Sequence, residues 1–130
     1  MPRDSFDKID EEYFNTILDE DFHFNGTIKF EFASIIKGSI EGKITSKDKL
    51  VIGPNAVLKA DIHARSLECF GYVEGHIMIE EDAYFHAPSV LKGSLKTGNL
   101  TFEKGCIING QIEMEEKNIN LNLEKEKILT

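Results

Sequence analysis

A five-residue pattern, apolar–any–Gly or Ala–any–apolar, occurs six times between residues 24 and 112. It reads Phe24-Asn25-Gly26-Thr27-Ile28, Ile40-Glu41-Gly42-Lys43-Ile44 and Leu58-Lys59-Ala60-Asp61-Ile62 in the first half of the chain. It continues as Val73-Glu74-Gly75-His76-Ile77, Leu91-Lys92-Gly93-Ser94-Leu95 and Ile108-Asn109-Gly110-Gln111-Ile112. The small residue stands at 26, 42, 60, 75, 93 and 110, so the interval stays between 15 and 18. Longer stretches repeat with it: Ile36-Lys37-Gly38-Ser39-Ile40-Glu41-Gly42-Lys43-Ile44 returns 33 positions on as Cys69-Phe70-Gly71-Tyr72-Val73-Glu74-Gly75-His76-Ile77. Apolar residues at every second place are a strand signal. Strand signals returning at a near-constant interval specify a repeat architecture.

The interval sets the kind of repeat. About 17 extended residues at ~3.3 Å each trace a path of roughly 55 Å. That suits one coil of a β-solenoid with short strands, and is too short for a propeller blade or a usual helical repeat. Ile52 to Ala60 resembles Phe85 to Gly93, again 33 apart, and Phe102 to Gly110 follows 17 later. Pro54, Pro88 and Gly105 thus fall within a residue of one another in the repeat frame. Proline cannot donate to a sheet ladder, so these places are expected to be corners between strands. Thr45 to Lys49 and Glu80-Glu81-Asp82 read as a second set of outward corners. Stacked coils ~4.8 Å apart would align apolar side chains inward and charged ones outward.

At 130 residues the chain is expected to form one domain. No apolar run approaches the ~18 residues of a membrane span, and the acidic N-terminus has no apolar signal region. Cys69 and Cys106 do not make a disulfide framework and read as small buried thiols in a reducing compartment, the cytoplasm. The net charge of −8 is uneven: residues 1–21 hold eight acids against Arg3 and Lys8, while residues 22–114 are nearly neutral. A body without a basic stripe argues against nucleic acid.

Ahead of the repeats, Phe6, Ile9, Tyr13, Phe14, Ile17 and Leu18 recur at spacings of three and four. That pattern predicts an amphipathic helix of about fourteen residues. Its acidic opposite face is wrong for anionic headgroups. The arm is expected to dock on the solenoid or on a protein partner. Phe22, Phe24, Ile28, Phe30 and Phe32 then alternate through the first coil, at an end where a solenoid exposes unpaired backbone and core. At the other end, Asn118 to Leu123 has the period of a strand and would add a partial coil or a cap. Three segments follow: an arm (1–21), a β-helix (22–114) and a C-terminal strand or cap with a tail (115–130).

Little here suggests catalysis. His63, His76 and His86 each sit beside an inward apolar residue, point outward and do not share one column, whereas a metal site needs three or four converging ligands. Gly53-Pro54-Asn55 and Lys104-Gly105 lack the Gly-Lys-Ser/Thr of a phosphate loop. The enzyme alternative is the left-handed β-helix of hexapeptide acyltransferases and related metal-dependent lyases. It expects an aliphatic residue at every sixth place, whereas the strongest apolar spacing here is two. A capped, monomeric β-helix adaptor is a further alternative.

The Gly-any-Val-any-Gly-any-Ile coils, joined to Ile-Gly-Pro-Asn-Ala-Val-Leu corners, resemble the bactofilins across Phe22 to Met114. The resemblance implies a right-handed parallel β-helix of about six coils, without catalytic residues, cofactor or metal. It also implies end-to-end polymerisation into nucleotide-independent filaments that scaffold cell shape and envelope enzymes, including cell-wall metallopeptidases. The partners implied are further copies and such enzymes, with the protein at the inner face of the membrane through them. Two departures matter. The acidic arm is unlike the apolar or basic tail by which relatives reach membrane, and Ile108 stands where relatives often carry a polymer-supporting Phe. The residues expected at the polymer contacts are Phe24, Phe30 and Phe32 in the first coil and Ile108, Ile112 and Met114 in the last.

Overall fold

The computed structural model describes Phe6 and residues 9–114. After a 3-10 turn at Glu11–Tyr13 come ten strands: β1 (Thr16–Leu18), β2 (His23–Phe30), β3 (Ser34–Ile36), β4 (Ser39–Ser46) and β5 (Lys49–Ile52), then β6 (Val57–Ala64), β7 (Ser66–Cys69), β8 (Tyr72–Phe85), β9 (Val90–Phe102) and β10 (Ile107–Met114). All belong to one sheet, and every pairing is parallel. The sheet is wound into about six coils. One side stacks β2, β4, β6, the first part of β8, the first part of β9, and β10. The other stacks β1, β3, β5, β7 and the later parts of β8 and β9.

The apolar periodicity becomes columns. Phe24, Ile40, Leu58, Val73, Leu91 and Ile108 align from coil to coil, as do Ile28, Ile44, Ile62, Ile77, Leu95 and Ile112. On the second side Leu18, Ile36, Ile52, Cys69, Phe85 and Phe102 form another column. Side chains of the middle coils in these columns are fully buried. Each apolar one contributes about 1.5–3 kcal/mol relative to exposure. In β6 the alternation of buried and exposed residues is unbroken from Val57 to Ala64.

The small residue of the repeat has a steric cause. A Cβ on Gly93 would be driven into the carbonyl oxygen of Gly75 one coil below, and Gly93 has a φ of +123°. Gly75 stands in the same relation to Ala60. Ala60 itself keeps a negative φ, and the β6–β8 ladder passes over Ala60 and Asp61 before resuming at Ile62. Alanine thus enters the column with a different backbone angle, in unbroken register with Gly42 below and with a local break in the ladder above.

The corners absorb the uneven interval. Gly53 to Ala56 turns one corner in four residues, with the Ala56 N–H donating to the Gly53 carbonyl, whereas Phe70-Gly71 turns the next in two. At the charged corners, Arg65 bridges Asp48 and Glu81 on the coils to either side, and Asn99 donates to Asp82. The polar residues buried there are satisfied: Ser46 bonds the Asp48 backbone and Thr97 bonds the carbonyls of Glu81 and Asn99.

The expected fourteen-residue helix is corrected. Residues 11–13 form one 3-10 turn, capped by the Asp10 carboxylate accepting from the Glu12 N–H, and residues 16–18 are strand. A helix of that length is marginal in water. The edge of the second coil offers a better partner: the Asn15 N–H donates to Ala33, and β1 then pairs with β3. Leu18 packs against the core inside that ladder. The ladder therefore begins at Thr16, ahead of the repeat. The arm does dock on the solenoid. Phe6, Ile9 and Phe14 cover Ile35, Val51 and Phe70 on its outer surface rather than its end. The strand expected over Asn118 to Leu123 lies outside the described residues.

Candidate functional site

Two surfaces lack a neighbouring coil among the described residues. At the first end, β1 and β2 are each paired on one side only; at the last end the same holds for β10 and for Leu100–Phe102 of β9. Such edges present unpaired N–H and C=O groups. The core columns also terminate there, so apolar side chains that are buried in middle coils become accessible.

At the first end, Phe24 is 38% exposed and stacks on Phe22 with ring centroids 6.2 Å apart. Ile28 is half-buried beside them. Phe30, expected at the contact, is only 7% exposed and belongs to the core, so it has little surface to offer a second molecule. Phe32 is 60% exposed but lies past the end of β2, outside the stacked columns. Glycine at 26 has no coil beneath it: the nearest atoms to an added Cβ would be those of the Phe24 ring, 3.1 Å away.

At the last end, Ile112 is 40% and Met114 39% exposed, and Ile108 is half-buried against the core. The structure adds residues that the sequence reading passed over. Leu100 and Phe102 end columns of the second side, Cys106 packs against the core at the corner before β10, and Ile107 next to it is exposed. The signal was present. Phe102 is 17 residues after Phe85, but that side carries no repeated glycine to draw attention to it.

The most concentrated polar chemistry lies on the side of the rod. His86 does point outward, as its alternation predicts, yet it is buried. Its ring lies between Phe70, 4.1 Å away and parallel, and Tyr84 at 4.2 Å. Its Nε2 is 2.7 Å from Glu68 and its Nδ1 3.1 Å from Glu103. Burial opposes the charge on Glu68. The Lys49 ammonium at 2.8 Å and His86 outweigh it and hold that carboxyl below the usual range. The Ala87 N–H holds Glu103 low against a smaller burial penalty, with help from His86 and Tyr84. Every ring nitrogen and carboxylate here is engaged by a neighbour, which is the arrangement of a structural clasp.

The other three histidines form exposed pairs, His23 with Ser39, His63 with Glu80 and His76 with Ser94. Among the described residues, no three His, Cys, Asp or Glu side chains converge as metal ligands. Cys69 is a poor nucleophile because burial pushes its thiol up to about 12, and only a thiolate attacks. With Cys69 buried and Cys106 half-buried, a thiol reagent at pH 8 should titrate Cys106 in the folded protein and both residues in denaturant. Equal fast labelling of both without denaturant would contradict the buried position of Cys69.

The family model "Bactofilin: Polymer-forming cytoskeletal" matches residues 16–113, starting at the first residue of β1. Bactofilin BacO of Myxococcus xanthus (strain DK1622) is 25% identical over 103 residues, which are 79% of this chain and 82% of that protein. Bactofilin BacP of the same organism is 21% identical over 100 residues, 77% of this chain but 42% of that longer protein. No solved structure matches. No helix among the described residues is long and apolar enough to cross a membrane.

Proposed function

We propose, from the premise that this chain belongs to the bactofilins, the polymer-forming cytoskeletal family, that its rods join end to end into filaments through the two open faces. The observation that carries this reading is the pair of edges left unpaired among the described residues, with core columns exposed above them. Joining two ends completes the ladder and removes Phe24, Ile112, Met114 and Phe102 from water together. Ile108 and the accessible edge of Ile28 would contribute at the same faces. No bound nucleotide is needed, because the ends exist in the folded chain itself. A non-catalytic filament of this kind would scaffold cell-shape and envelope enzymes from the cytoplasmic side. The acidic arm disfavours direct attachment to anionic membrane.

Sedimentation tests it. The parent protein should pellet, whereas Phe24→Arg and Ile112→Arg should remain in the supernatant with unchanged circular dichroism. Trapping an unpaired charge in an apolar joint costs several kcal/mol, and each 1.4 kcal/mol is a factor of ten. The concentration needed for assembly should therefore rise at least about tenfold. If both variants pellet like the parent, these ends are not the contacts. If the parent stays monomeric at high concentration, the ends are sealed and the adaptor reading replaces this one.

A further inference from the structure

The outer column of the second side changes character along the rod. It runs Ile17, Ile35, Val51, Glu68, Tyr84, Thr101, apolar in the first three coils and polar beyond. Outward positions of a solenoid normally meet water, so an apolar stretch there signals something laid over it. In this chain it is the arm. Phe6 meets Phe70 edge-on at 5.3 Å and lies against the bare backbone of Gly53, while Ile9 and Phe14 complete the cover over Ile35 and Val51. Lys37 holds the arm from one side, 2.8 Å from Glu11 and 6.0 Å over the Phe6 ring.

Ahead of Asn15, the described residues of the arm are attached by side chains alone. Among the described residues, the backbone bonds of residues 6–14 close on the arm itself: Ile9 to Phe6, Tyr13 to Asp10 and Phe14 to Glu11. The first backbone bond to the body is from Asn15 to Ala33, on the first coils, where the proposed joint lies. The arm also has slack. From Thr16 on the first coil to Phe70 on the fourth it climbs three rungs, roughly 14 Å at ~4.8 Å per rung. Ten residues can span about 33 Å. The fourth rung of a neighbour joined at this end is three or four rungs away, roughly 14–19 Å whichever of its ends it presents.

From these contacts, and resting on the end-to-end assembly above, we propose that the Ile35–Val51–Phe70 face also takes the arm of an adjoining copy, so that arms exchange across the joint. The second copy is the fitting occupant because its arm brings the same Phe6 ring, at the end of a ten-residue reach, to the same Phe70 and Gly53. The Phe6 seat is then the same in trans as in cis, and exchange turns on linker reach and local concentration, which a filament supplies.

The test mixes two full-length variants, Phe6→Cys and Gly53→Cys, under oxidation after co-assembly. Gly53 accepts a side chain: an added Cβ meets only ordinary contacts at 3.5 Å, from Ile36, Lys37 and Phe6. The expected result is a disulfide dimer containing one copy of each variant, absent from either variant alone. A synthetic peptide of residues 1–15 in excess should suppress it. A mixture that sediments yet yields no mixed dimer overturns arm exchange and leaves the assembly reading standing. A mixture whose parent protein does not sediment brings down the assembly reading and this inference with it.

Discussion

Gly93→Ala is expected to destabilise the protein by about 3 kcal/mol or more, read as a lower urea midpoint by circular dichroism. Two effects add. The φ of +123° at Gly93 is one that an L side chain adopts only under strain, worth about 1–2 kcal/mol. The new Cβ also meets backbone of the coil below, the Gly75 carbonyl oxygen first, then its carbon at 3.0 Å and nitrogen at 3.1 Å. A side chain could swing aside; a peptide in the middle of a ladder cannot. Relief requires β9 to lift off β8, loosening the pairing that runs from Val90 to Thr97. Gly53→Ala is the control. With no left-handed φ and nearest neighbours at 3.5 Å, it should change stability by less than about 0.5 kcal/mol in either direction. Equal, small effects at the two positions would mean that the close stacking at the glycine column does not govern the fold.

That column is also why so much of the fold was legible in the sequence. Where backbone passes within contact of backbone, only the smallest residue fits, and the requirement repeats once per coil. The apolar residues two places either side are tied to it by the pleat, so Ile40 and Ile44, or Leu91 and Leu95, announce the core with no further information. The second side carries no such marker. Its strands β3, β5 and β7 are three or four residues long, too short for an alternation to stand out. The expected polymer contacts consequently came mostly from the glycine-bearing side and did not include Leu100 and Phe102, where columns of the second side end.

The arm departs from its sequence pattern for a related reason. Spacings of three and four among Phe6, Ile9, Tyr13, Phe14, Ile17 and Leu18 fit a helix, but the same residues serve two different surfaces. Leu18 faces the interior column, while Phe6, Ile9 and Phe14 lie on the outside of the rod. No one-dimensional period separates these, because the partner of Phe6 is Phe70, distant in sequence. His86 is the complementary case. Its outward direction follows from Phe85 pointing in, but its burial depends on Phe70, Tyr84, Glu68 and Glu103, side chains drawn from three neighbouring coils.

His86→Leu should cost about 2–3 kcal/mol at pH 7, although it replaces a polar residue by an apolar one of similar size. The imidazole is the shared partner of two carboxylates. Without it Glu68 keeps only Lys49 for its charge, and Glu103 keeps the Ala87 N–H and a long bond from Tyr84 at 3.4 Å. The stacked rings on either side lose a flat neighbour as well. The same cluster sets an acid response. Glu68 and Glu103 titrate below the usual carboxylate range in the folded chain, and so does Asp48, through its bond to Arg65 and then the Lys49 N–H. A folded-state pKa below the unfolded one means that the stabilisation is complete above the unfolded value, about 3.9–4.3. It is then lost as pH falls through the lower folded values. The urea midpoint should therefore hold from pH 7 to about 5 and drop below about pH 4. In Glu68→Gln/Glu103→Gln, stability at pH 7 should be lower and the acid drop shallower, because two of the responsible carboxyls no longer titrate. A double variant that keeps the full acid drop would place the titrating groups elsewhere on the rod, and a His86→Leu protein as stable as its parent would show that the clasp contributes nothing net.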